Sequence, residues 1–192
     1  MGKNIIPLSQ EIQHAKNYMN IQKIRFKNKF AVHFDVQEEV LDCLTVKLIL
    51  QPILENAIYH GMEGMDGDGE IDVRGKIIQE NSLPVILLSV EDNGFGMPVE
   101  KAESFLDNEV EPSSFSDRKK RGSGVGLINV HKRIQLRFGS RYGLKIISAP
   151  DEGTTVQLRL PPIEYSEETQ KSMEHGNMHS SSSGFHGGGR NS

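Results

Sequence analysis

The hydrophobic period changes several times along this chain, and that limits what it can fold into. Val46, Ile49, Leu50, Ile53, Leu54, Ala57 and Ile58 make one broad helical stripe, the spacing of a helix laid against a core. Soon afterwards the period drops to two. Ile71, Val73 and Ile77 predict one strand, and Pro84–Glu91 predicts another. The same alternation marks Phe30–Val36, Leu144–Ala149 and Thr154–Leu160. The last two form a closing hairpin over Pro150–Gly153. Helical spacing returns in Leu8, Ile12, Ala15, Tyr18 and Met19, so Ser9 to about Arg25 reads as a helix with Ser9 as its N-cap. It also marks Val125–Phe138, which Gly139 stops, and a short piece at Lys101–Leu106. Adjacent strands on short turns, with helices between, predict a two-layer α/β sandwich: a mixed sheet with helices on one face. Pro161-Pro162 reads as the end of the fold.

Composition sets bounds on this picture. With 192 residues, 36% of them hydrophobic, the chain can bury a core without metal or disulfide staples. A net charge of −4 gives no global basic field for nucleic acid. The single cysteine, Cys43, permits neither an internal disulfide nor a cysteine zinc site; it fits a reducing compartment and reads as structural. Apolar runs such as Val85–Leu88 are far shorter than the roughly 20 residues of a membrane span. No apolar stretch follows Met1–Asn4, so no signal peptide is expected. From Ser166 to Ser192 there are seven Ser and five Gly among 27 residues, a composition expected to stay disordered, with His175, His179 and His186 solvated. Asp66-Gly-Asp68-Gly69 reads as a turn, and His33 as a solvent-facing strand residue.

Three short stretches carry polar chemistry. In Gln51–Gly61, Glu55, Asn56, Tyr59 and His60 leave the apolar stripe together, because 55/59 and 56/60 are i, i+4 pairs. An acid, an amide and an imidazole on one stripe can meet a metal and phosphate oxygens; a merely solvated face has the same pattern. Glu91-Asp-Asn-Gly-Phe-Gly-Met97 follows an apolar strand. Asp92 there is a fixed acceptor for an amino group, beside glycines that let backbone approach a ligand, although Asp-Asn-Gly is also ordinary turn chemistry. Arg121-Gly-Ser-Gly-Val-Gly-Leu127 opens an amphipathic helix with bare N–H groups that suit an anion. It is not a P-loop, since no Gly-Lys-Ser/Thr follows, and it does not follow a buried strand as a dinucleotide loop does.

In this order and spacing the three stretches resemble the N, G1 and G2 boxes of the GHKL ATP-binding superfamily. That superfamily includes histidine kinases, gyrase-type topoisomerases, heat-shock ninety chaperones and mismatch-repair ATPases. Leu50–Gly61, Gly124–Ile134 and the lead-in Glu11–Phe26 are similar to the LytS/YesM-type sensor histidine kinases. The likeness covers about residues 8–162. It implies a Bergerat sandwich with ATP held between helices and a lid, and it implies Mg²⁺. Asn56 matches the metal-ligating asparagine, with Glu55 shaping the metal's water shell or assisting proton movement, and Tyr59 and His60 near the phosphates. Asp92 matches the adenine-reading aspartate, with Gly94, Gly96 and Met97 shaping its loop. Gly122, Ser123, Gly124, Val125, Gly126 and Leu127 match the phosphate-side loop, and Thr154 the threonine supporting an adenine-site water. Pro98–Lys120, polar and leading into Arg118-Lys-Lys-Arg121, would be the lid.

The resemblance divides the chain into a lead-in helix at 1–29, an ATP-binding domain at 30–163 and a tail at 164–192. Hydrolysing relatives carry a glutamate one helical turn before the metal asparagine. Here that place is Pro52, which favours transfer over hydrolysis. The subgroup's Pro-His-Phe acceptor motif does not occur, and the context of His14 does not match it. The expectation is therefore a kinase fragment whose acceptor histidine lies elsewhere, on a helix of the same full-length protein. That protein would be a homodimeric, membrane-anchored sensor with this part in the cytosol, passing phosphate to a response regulator. An anti-sigma-factor-type serine kinase, a conformational ATPase and a non-catalytic docking module share the fold and are the alternatives.

Overall fold

In the computed structural model, residues 3–62, 64–107 and 124–176 are described. Strand β1 (Ile5–Pro7) pairs antiparallel with β3 (Leu44–Val46), a two-stranded ribbon from which helix α1 (Leu8–Arg25) departs. The helix starts on Pro7, not on a Ser9 cap. The ribbon supplies what a cap would: the Leu8 N–H donates to the Cys43 carbonyl at 2.7 Å. Leu8, Ile12, Ala15 and Met19 are buried as their spacing predicts.

Five strands form the main sheet in the order β2-β4-β5-β7-β6: β2 (Phe30–Val36), β4 (Gly69–Glu80), β5 (Leu83–Asp92), β7 (Thr154–Leu160) and β6 (Gly143–Ser148). Only β2 and β4 run parallel, so the sheet is mixed. Asn81 (φ +50) and Ser82 (φ +65) close β4 onto β5 as a two-residue turn with both residues left-handed, the turn whose twist suits a hairpin. Ile71, Val73, Ile86, Leu88, Val90, Val156 and Leu158 bury one face of the sheet. Arg74, Lys76, Ser89 and Gln157 alternate with them and line an open groove on the other face. Exposed His33 lies on β2, and buried Cys43 donates its Sγ–H to the Glu39 carbonyl at 3.3 Å within the short helix α2 (Glu38–Leu41).

The helical stripe from Val46 is not one helix. Val46 ends β3, and Leu48 takes a left-handed φ of +60. Helix α3 then covers Leu50–Asn56, and Ala57–Met62 continues as a π-helix. Periodicity alone could not separate a strand end from a first helical turn, since both present apolar residues to one core. Helix α4 (Val99–Ser104) runs into a 3₁₀ turn at Phe105–Asp107, and α5 (Val125–Phe138) ends at Gly139 as expected. Helix α3 packs between α1 and α5 over the sheet.

The tail expectation needs correction up to residue 176. Chain beyond Pro161-Pro162 stays on the domain: Leu44 N–H donates to the Ile163 carbonyl at 2.7 Å and Tyr165 N–H to the Asp42 carbonyl at 2.8 Å. Helix α6 (Glu167–Glu174) follows, capped by Ser166, whose Oγ accepts from Thr169 N–H at 3.0 Å. Met173 and Gln170 are buried; Gln170 Nε2 donates to the Ile5 carbonyl at 2.7 Å, and Ile5 N–H donates to Glu174 at 2.5 Å. Averaging composition over a long Ser/Gly-rich stretch hid one capped helix of about two turns with a single apolar anchor. His175 Nδ1–H donates to the Lys171 carbonyl at 2.7 Å, while His179, His186 and the rest from 177 lie outside the described residues.

Candidate functional site

The end of β5 places Asp92 deep in the fold, 5% exposed. One of its oxygens accepts the Gly94 N–H at 2.9 Å, and the backbone of Thr154, its partner across the ladder, hydrogen-bonds it too. Burial pushes the carboxyl up to about 6 from its ordinary 3.8, against the lowering effect of those two backbone bonds. This is a preorganised acceptor in a dry place, held without a compensating cation among its perturbing neighbours.

Glycines set how closely the backbone surrounds it. A Cβ on Gly61 would lie 2.7 Å from the Asp92 carboxylate, and one on Gly94 would lie 2.2 Å from the Gly61 carbonyl. The π-helical end of the Asn56 segment therefore rests directly on the Asp92 loop. Gly96, at φ +66, would put a Cβ 2.0 Å from the Ala149 carbonyl, so its place in the loop is set by both conformation and space. Met97 N–H donates to Ser148 Oγ at 3.0 Å, Ser148 donates to the Gly153 carbonyl at 2.8 Å, and Ser148 and Thr154 hydroxyls meet at 2.9 Å. Ser148 has only one proton, so Thr154 donates to it, and its own oxygen keeps lone pairs for another donor. Ser148 was not singled out from sequence. Its signal was its phase, on the buried side of β6 with Leu144 and Ile146.

Asn56 is half-buried at the junction of α3 with the π-helix. One turn earlier on its face lies Pro52, whose ring sits 3.3 Å from where a Gly126 Cβ would be. One wide turn later lies Gly61 on Asp92. Asn56 thus stands between the start of α5 and the Asp92 loop. Glu55 and His60 are exposed and Tyr59 half-buried. The Tyr59 ring meets Phe26 edge-on at 5.9 Å, and Tyr18 of α1 has its phenol pushed up by burial, then by Glu55 and Tyr59. Glu55 and Tyr59 therefore lie toward the lead-in helix.

Gly124 opens α5 with φ +77, against the Phe105 ring. The first intrahelical bond is Ile128 N–H to the Gly124 carbonyl, so the N–H groups of Val125, Gly126 and Leu127 have no helical partner and suit an anion. Leu127 is itself in the core, so only its backbone can face a ligand. Gly122, Ser123 and Arg118–Arg121 lie outside the described residues.

Residues 42–164 match the family model of the histidine kinase-, DNA gyrase B- and HSP90-like ATPases. The chain belongs to that ATPase family. Membership makes this ATPase-family domain a nucleotide-binding one, with Asp92, Asn56 and the α5 start all inside the matched stretch. Residues 1–30 match a second model, described as histidine kinase. The sensor histidine kinase YesM of Bacillus subtilis is 34% identical over 161 residues, 84% of this chain and 25% of the relative. BtsS of Escherichia coli, also a sensor histidine kinase, is 31% identical over 157 residues, 81% of this chain and 24% of the relative. The chain thus spans about a quarter of the length of these curated relatives. Among solved structures, the catalytic domain of histidine kinase ThkA superposes with a TM-score of 0.57 at 16% identity, covering 85% of this chain and 97% of that one. The likeness in fold agrees with the two-layer sandwich expected from sequence.

Proposed function

We propose that this ATPase-family domain is the ATP-binding catalytic part of a two-component sensor histidine kinase, and that it passes the γ-phosphoryl group of ATP to a histidine outside this segment. The observation that carries the reading is the contact of Gly61 with Asp92. It brings the helix of Asn56 onto the buried acceptor, while Pro52 of the same helix lies against the start of α5.

The residues fit the groups. Asp92, with no cation beside it among the described residues, accepts the amino group of adenine, with the Thr154 hydroxyl oxygen beside it for a bridging water. The Asn56 amide oxygen is a hard donor suited to Mg²⁺, and among the described residues no cluster of three or more His, Cys, Asp or Glu cages a metal. Bound Mg²⁺ supplies charge neutralisation on the phosphates. The α5 start binds phosphate oxygens through backbone N–H groups. Exposed Glu55, toward α1, is placed to take the proton that an attacking imidazole releases, as the phosphorus–oxygen bond to ADP breaks and the nitrogen–phosphorus bond forms. Pro52, in the place of a hydrolytic glutamate, supports transfer over water attack.

The full-length protein is a homodimer that supplies the acceptor helix and hands phosphate to a response regulator, with this segment on the cytosolic side of a membrane sensor. Among the described residues no helix is long and apolar enough to cross a membrane. The test is phosphotransfer from labelled ATP to an added acceptor domain from the full-length protein. Acid-labile phosphate on histidine is expected. Acid-stable phosphate on serine would favour the anti-sigma-factor type, and steady phosphate release without an acceptor would favour a conformational ATPase.

A further inference from the structure

Helices α1 and α5 meet on one strained turn, Lys47–Ile49, immediately before the helix of Asn56. Leu48 holds φ +60 without being a glycine, a conformation that persists only when its surroundings enforce it. Glu11 of α1 enforces it from inside. Only 2% exposed, its carboxylate accepts Leu48 N–H at 2.5 Å and Ile49 N–H at 3.4 Å. Arg133 of α5 enforces it from outside, donating to the Leu48 carbonyl at 3.2 Å and the Lys47 carbonyl at 2.7 Å. Among the described residues no ion pair compensates Glu11. A carboxylate buried against two amides is costly as a stabilising device, because an apolar side chain would fill the same space without desolvating a charge. It does, however, fix direction. Ile49 is the N-cap of α3, and Asn56 is the last residue of that helix. The acceptor at Asp92 is held by β5, β6 and β7 and meets this segment at Gly61, past Asn56.

We propose that Glu11 is a positioning residue: its carboxylate seats the Asn56 helix, Arg133 steadies the same turn, and the lead-in helix thereby governs the metal side of the nucleotide site more strongly than the adenine side. The inference rests on the reading of Asn56 as the magnesium-bearing amide. A shift of α1 along its axis would carry Glu11, and with it the start of α3, while Asp92 stays tied to β7 through the sheet.

The experiment measures ATP affinity by calorimetry on the whole chain, once with Mg²⁺ and once with EDTA. The ratio of the two is the gain linked to the metal. Glu11→Ala is expected to cut that gain roughly tenfold, the typical cost of losing a partner that orients a metal ligand. Arg133→Ala should cut it about threefold, as for a pair of exposed hydrogen bonds. Affinity for ATP in EDTA should fall by no more than about twofold in both, because Asp92 is held mainly by the sheet and meets this segment beyond Asn56, at Gly61. A folded Glu11→Ala chain with the full gain, or one that loses affinity equally with and without metal, overturns the proposal. If that variant does not fold, the isosteric Glu11→Gln and the exposed Arg133→Ala decide, and full gain in both overturns it. Asn56→Ala separates the two readings. If it keeps the gain, the assignment of Asn56 fails; if it loses the gain while the Glu11 variants keep it, only the positioning role fails.

Discussion

Replacing Asp92 by Asn should make the nucleotide-free protein more stable while abolishing ATP binding. Burial raises the carboxyl from 3.8 to about 6. Between those values the folded state binds a proton that the unfolded state does not, so stability falls as pH rises through that window. Above about 6 the full cost is present. At about 1.4 kcal/mol per unit, it is roughly 3 kcal/mol for a group this buried. Asn removes the charge and keeps one carbonyl oxygen for Gly94 N–H, but its NH2 faces the second backbone donor, at a loss of about 1 kcal/mol. The expected net gain at pH 8 is therefore about 1–2 kcal/mol. Urea denaturation of both proteins without nucleotide, at pH 8 and at pH 4, measures it. The advantage should shrink or reverse at pH 4, where the wild-type carboxyl is largely protonated in the fold. A variant less stable than wild type at pH 8, or a difference independent of pH, would refute the view that this carboxylate is held ionised at a cost. Such a cost is what an acceptor kept ready for a ligand requires.

Gly61→Ala should weaken ATP binding and lower stability by about 1–3 kcal/mol, since the new methyl meets the Asp92 carboxylate at 2.7 Å; thermal melts with and without ATP read both effects. Met173→Ala should cost about 2–4 kcal/mol in urea denaturation, because this side chain anchors α6 at 1% exposure; no change would mean that the helix is undocked in solution. His131 should titrate below its ordinary 6.5 by NMR, since burial lowers it and its Nδ1 accepts Leu144 N–H at 2.9 Å. Its contribution to stability is present above 6.5 and fades as pH falls through the lowered value, so a stability profile of wild type against His131→Gln should converge on acidification.

The two ends of the site were legible in sequence to different degrees, and the reason is physical. Asp92 was readable because a buried strand that ends in a carboxylate and Gly-x-Gly is a local pattern, and the strand forms by period two alone. Its supporting Ser148 was not, because a serine on a buried strand face looks like any small residue until Met97 and Gly153 are brought to it by the hairpin. The Asn56 stripe was read as a regular α-helix. From Ala57 the chain continues as a π-helix, and Gly61 rests on Gly94 and Asp92, a contact between segments far apart in the chain that local spacing does not encode.

The same asymmetry bears on how such a domain can be controlled. The adenine side is fixed by ladder pairing of Asp92 with Thr154 and by short buried hydrogen bonds among Met97, Ser148, Gly153 and Thr154. Moving it means breaking sheet. The phosphate side sits on the ends of two helices, with Asn56 closing α3 and Gly124 opening α5. Helix ends shift as rigid pieces over small distances without loss of their internal bonds, and α3 is seated on α1 through one carboxylate. On the proposed assignment of metal to Asn56 and adenine to Asp92, a signal arriving along the lead-in helix would meet less resistance in displacing the amide than in displacing the carboxylate, and control would act on transfer competence before nucleotide occupancy.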